Sequence, residues 1–77
     1  MSTKERYGTA VWNALIACEA NRKDGEWGWV SVGEVMEEAG VSRGTARKYL
    51  EILRNSTHIR RIGTRSTGFF YQSYEGQ

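Results

Sequence analysis

The chain has 77 residues, with 11 Lys or Arg, 9 Asp or Glu, and one Cys. That length holds one small domain, which on folding buries only about 60% of the surface its unfolded chain exposes, so an enclosed catalytic pocket has little room. One cysteine excludes an intramolecular disulfide and a cysteine-rich zinc site, and the net charge of +2 by itself names no partner.

No apolar run approaches the ~18 residues of a membrane span. The leading MSTKERYG carries no hydrophobic segment of signal-peptide type. The expectation is a cytoplasmic protein with no membrane partner, folded as a single domain over residues 1–77 with its core in about 9–74.

Residues 9–20 read as a first helix. Val11, Leu15 and Cys18 fall at i, i+4 and i+7, and Trp12 and Ile16 widen the apolar face. Its start has two readings. Thr9 caps a short helix that Gly8 favours, since glycine costs about 1 kcal/mol in a helix interior. Alternatively Ser2 and Glu5, at capping-box spacing, begin it near Thr3. Residues 21–28 form a polar loop with Asp24-Gly25 turn chemistry. Residues 29–31 offer one short strand.

Ser31 and Glu34 repeat the capping-box spacing and open a second helix on which Val32, Val35, Met36 and Ala39 recur at helical intervals. Gly40 stops it, because glycine adopts the left-handed conformation without a Cβ clash. Ser42 caps the third helix, where Ala46, Tyr49, Leu50 and Leu53 form one apolar stripe. Arg43, Arg47, Lys48 and Arg54 lie mostly off that stripe. Two short helices joined by a tight turn, the second one basic, describe a helix-turn-helix. The third helix should end near Arg54 or Asn55. Residues 58–62 then read as a strand, 63–68 (GTRSTG) as a flexible polar turn, and 69–74 (FFYQSY) as a second strand.

Charge is uneven along the chain. Residues 43–65 hold seven Lys or Arg and one Glu, whereas residues 1–42 hold four basic and seven acidic residues. Such asymmetry points to a basic binding face on an otherwise neutral or acidic body.

The order helix, short strand, helix, helix, strand, basic loop, strand resembles the winged helix-turn-helix domain of bacterial and archaeal transcription regulators. AGVSRGTARKYLEIL and IRRIGTRSTGFFYQ carry the likeness, which covers residues 9–74. It implies an α+β fold of three helices and a C-terminal two-stranded β-hairpin wing. It also implies a regulator that binds double-stranded DNA, with the third helix in the major groove and the wing on adjacent backbone. One departure stands out: many relatives have an apolar residue and a glycine after the recognition helix, where this chain has Asn55, Ser56, Thr57 and His58.

The candidate DNA-binding residues are Ser42, Arg43, Gly44, Thr45, Arg47 and Lys48 at the start of the third helix, Arg54 further along, and Arg60, Arg61 and Arg65 on the wing. Arginine suits base reading because its planar fork matches O6 and N7 of guanine. Gly44 would let the backbone approach a phosphate. Adjacent Arg60 and Arg61 must point to opposite sheet faces, so one of them is available to lie over the body. The bland alternative for the basic residues among them is a solvated cation.

Trp12 belongs to the core face, while Trp27 and Trp29 straddle Gly28 and can pack on either side of the short strand. Cys18 reads as a small core residue. Glu34 is explained by its cap, and Glu37 and Glu38 by a solvated face. His58 has no partner at a metal spacing, and no catalytic residue, metal or cofactor is assigned. A homodimer through the first helix or the aromatic strand would strengthen binding to a two-fold site. The rival reading is a protein-interaction module. Its marks would be exposed aromatics at Trp27, Trp29 or the last strand, with Arg43 and Arg47 held in intramolecular ion pairs.

Overall fold

A computed structural model describes residues 3–23 and 25–74. The first helix takes the longer of its two readings: α1 spans Thr3–Ala20 and continues through Gly8. Packing explains why. A Cβ at Gly8 would lie 3.6 Å from the Tyr49 ring, and the Tyr7 and Tyr49 rings sit 6.3 Å apart. Contact with the third helix outweighs the roughly 1 kcal/mol that a mid-helix glycine costs. Ser2 and Asp24 lie outside the described residues, as do residues 75–77.

β1 is short, Val30–Ser31, and leads directly into α2, Val32–Ala39. The Ser31 hydroxyl accepts the Glu34 amide at 3.2 Å, and the Glu34 carboxylate accepts the Ser31 amide at 2.9 Å. Two amides that a helix start leaves unpaired are thereby satisfied. Gly40 ends α2 at φ 69°, with its amide donating to the Met36 carbonyl at 2.8 Å. α3 spans Arg43–Asn55, capped by Ser42 accepting the Thr45 amide at 3.2 Å. Its far end is closed by Thr57, which takes the left-handed conformation at φ 62°. A β-branched residue is costly there, so Thr57 holds local strain at the point where the chain leaves the helix.

β2, Ile59–Thr64, and β3, Gly68–Ser73, form the wing. Both strands reach further towards the tip than the sequence pattern indicates. Gly63 and Gly68 are strand residues and not parts of a loose turn. Gly63 pairs with Phe69, at φ 104°, and a Cβ on it would come within 2.1 Å of the Gly68 carbonyl oxygen. Only glycine permits that approach. The remaining turn, residues 65–67, is braced by reciprocal bonds: the Thr64 amide donates to the Thr67 hydroxyl at 3.1 Å, and the Thr67 amide to the Thr64 hydroxyl at 3.2 Å.

The sheet is antiparallel, in the order β1-β3-β2. β1 joins through Val30–Tyr71 and Ser31–Phe70 pairing, making three strands of the expected two-stranded wing. Three helices with this sheet give the α+β winged-helix arrangement. Every element contributes to one core: Val11, Ala14 and Leu15 from α1, Val30 from β1, Val32 and Val35 from α2, Ala46, Tyr49 and Leu50 from α3, Ile59 from β2 and Tyr71 from β3. Trp12, Cys18 and Leu53 pack on its margin, only half-buried. Ser73 is fully buried. Its amide and hydroxyl donate to the two oxygens of Glu19 at 2.7 and 2.8 Å, which fastens the end of β3 to α1.

Candidate nucleic-acid interface

The apolar stripe of α3 turns Ala46, Tyr49 and Leu50 inward. That orientation leaves Arg43 and Arg47, four residues apart and so on one helical face, exposed to solvent. Across from them stands the wing tip. Arg43, Arg47 and Arg65 line one open groove of about 440 Å³ together with Val32, Gly68 and Phe69. No acidic residue lines it, and none of the three arginines makes an ion pair among the described residues. Three cations in a concave wall raise the local potential and favour a polyanion.

The other candidates are disposed differently. Ser42 and Thr45 serve the helix cap, and the Ser42 hydroxyl also donates to the Thr45 hydroxyl at 3.0 Å. Gly44 faces open space. Lys48 is exposed but leans over the Tyr49 ring at 5.7 Å. Arg60 is on the outer sheet face, 5.6 Å from both the Trp29 and Tyr74 rings, and donates to Gln72 at 2.9 Å. Arg61, on the opposite sheet face, lies over the body. It stacks on Phe69 at 4.4 Å and pairs with Glu51 at 2.8 Å. Arg54 pairs with the same carboxylate at 3.1 Å.

Glu51 is a functional candidate that the motif reading passed over. Its signal was present: it is the single acid among residues 43–65. Besides the two arginines it accepts the Tyr71 hydroxyl at 3.0 Å. Burial alone would raise the Glu51 pKa, but hydrogen bonds from Arg54 and Tyr71 and the charges of Arg61 and Arg54 outweigh it and hold the carboxyl below its usual range. Glu34 is likewise held low. There too burial opposes the shift, while the Ser31 amide and Arg22, 2.7 Å away, prevail. Tyr71 is pushed up to about 12, by burial first and then by Glu51.

These shifts set a pH profile. A lowered folded-state carboxyl pKa contributes stability above its unfolded value, roughly 4.3, that is lost as pH falls through the folded value. A raised tyrosine pKa contributes stability below about 10 that is lost as pH climbs towards 12. The melting temperature should therefore be level through neutrality and decline on both flanks. Glu51→Gln should flatten the acid flank; identical acid flanks in thermal melts from pH 7 to 3 would remove Glu51 from this account.

Elsewhere the surface carries aromatics. Trp27 is 59% exposed and rests on Phe70, with ring centroids 4.8 Å apart. His58 meets Trp12 edge-on at 6.3 Å. Burial, then the nearby Glu34 and Glu38, push the Cys18 thiol up, which disfavours the nucleophilic thiolate. Among the described residues no group of three or more His, Cys, Asp or Glu is arranged to hold a metal. No helix among them is long and apolar enough to cross a membrane.

A family model described as transcriptional regulator DIP2311-like, C-terminal domain, matches residues 24–71. No curated protein matches the chain. No solved structure matches it either.

Proposed function

Because the chain belongs to the DIP2311-like C-terminal domain family of transcriptional regulators, we propose that it binds double-stranded DNA through the groove between α3 and the wing. The observation that carries this reading is the convergence of Arg43, Arg47 and Arg65 on one acid-free groove. The start of α3, with Ser42, Gly44, Thr45 and Lys48, enters the major groove, and Arg47 reads base edges. Arg65 follows the backbone beside it. Phosphate contacts supply affinity and base contacts supply choice. Arg54, Arg60 and Arg61 act in this reading through the fold, since each already has a partner within the chain. No cofactor is required. The single domain, residues 1–77, works in the cytoplasm.

A salt titration of binding to mixed-sequence duplex tests the proposal. Three to four neutralised phosphates give a slope of log association constant against log salt of about −2.7 to −3.6. Absence of binding at ~50 mM salt, where such contacts are strongest, would favour the second reading. That reading is a protein contact through the outer sheet face, supported by the exposure of Trp27 and Tyr74. A homodimer formed there is its simplest case, detectable by sedimentation without DNA. Among the described residues, Arg43 and Arg47 do not carry the ion pairs that a pure interaction module would give them.

A further inference from the structure

We infer that Glu51 is a positioning residue that holds the wing against α3, so that Arg65 faces Arg43 and Arg47 across one groove. The inference rests on the DNA-binding reading for its consequence and on the geometry for its mechanism. Arg43, Arg47 and Glu51 are spaced by four and form one stripe along α3. The first two open onto the groove, and the third reaches the wing. One Glu51 oxygen accepts from Arg61 of β2 at 2.8 Å and the other from Tyr71 of β3 at 3.0 Å. A single carboxylate therefore grips both wing strands from the helix.

The grip continues into the groove itself. Arg61 lies 4.4 Å from the Phe69 ring, and Phe69 with Gly68 forms the groove wall beside Arg65. A change at Glu51 is passed to that wall through Arg61 and Phe69. The same bonds occupy the carboxylate fully. Glu51 stands one turn from Arg47, where an i,i+4 pair could form. Arg54, Arg61 and Tyr71 engage its two oxygens instead, so Arg47 makes no ion pair among the described residues and is available to an outside anion.

Glu51→Gln separates positioning from plain electrostatics by the sign of its effect. Loss of a negative charge alone would strengthen binding to a polyanion. Loss of positioning weakens it. A phosphate contact contributes about eightfold to affinity at ~0.1 M salt. The expected result, below the variant's melting range, is a several-fold drop in duplex affinity. In addition, Arg65→Ala should cost about eightfold in the wild type but less than twofold in the Glu51→Gln background. Equal or tighter binding by Glu51→Gln, or the same Arg65→Ala cost in both backgrounds, overturns the inference.

A wild-type protein that binds no duplex would sink the DNA reading instead. The positioning role is then decided without DNA, by amide hydrogen exchange. Glu51→Gln is expected to speed exchange across residues 60–63 and 69–71 at least tenfold more than in α1. A uniform change across the chain would mean lost global stability only, and would overturn it.

Discussion

Leu50→Ala is expected to lower the melting temperature by at least about 10 °C and to leave the domain marginal at 37 °C. Leu50 is fully buried at the centre of α3, with Ala46 and Tyr49 beside it and residues of all three helices and the sheet in the same core. Removing its branched end costs the transfer free energy plus a cavity, in all about 2–5 kcal/mol. In a domain of this size each kcal/mol is worth roughly 4–8 °C. With total stability of order 5–15 kcal/mol, and little core in reserve, such a loss approaches unfolding. Differential scanning calorimetry checks it. A melting temperature within about 3 °C of wild type, less than one kcal/mol on that scale, would show that the inward face of α3 has been misassigned, and with it the outward face that bears Arg47.

The second large effect concerns binding and leaves the fold alone. Replacing Arg43, Arg47 and Arg65 together by alanine is expected to reduce duplex affinity by two to three orders of magnitude at ~0.1 M salt. The estimate multiplies two phosphate contacts of about eightfold each, from Arg43 and Arg65, by a base contact of Arg47 worth about 1 kcal/mol, roughly fivefold. All three residues are exposed, and surface changes of this kind usually stay within about 0.5 kcal/mol of wild-type stability. The melting curve should thus barely move while the slope of log association constant against log salt becomes shallower by about 1.8. Fluorescence anisotropy on a labelled duplex, run beside thermal melts, gives both numbers. Retention of binding within threefold of wild type would put the DNA somewhere other than this groove.

The elements that could be read in advance are those governed by neighbours in sequence. Ser31 with Glu34, Gly40, and Ser42 are local devices, and each works within four residues of itself. The apolar spacing of α3 likewise placed Leu50 inward and Arg43 and Arg47 outward. What escaped depends on partners far along the chain. Gly8 looked like a boundary because its reward, the Tyr49 ring, comes from α3. Gly63 and Gly68 looked like turn residues because nothing local shows that two backbones meet there. Arg61 and Arg65 look alike as letters in a basic hairpin. Only the sheet register turns the first towards Glu51 and leaves the second at the tip.

The order of strands also has a consequence for how the chain folds. β3 comes last in sequence yet lies in the middle of the sheet, and it is the strand with which both β1 and β2 pair. Until residues 68–73 arrive, neither earlier strand has that neighbour. The clasp of Glu19 on Ser73 spans 54 positions, so its closure must wait for a long loop to find its ends. The helices draw on local contacts, whereas β1 and β2 both depend on the last strand for their pairing. Such long-range closure slows folding relative to a plain helical bundle. It also ties the wing to the body at two places, through β1 along one side and through the Ser73 anchor on α1 at its end.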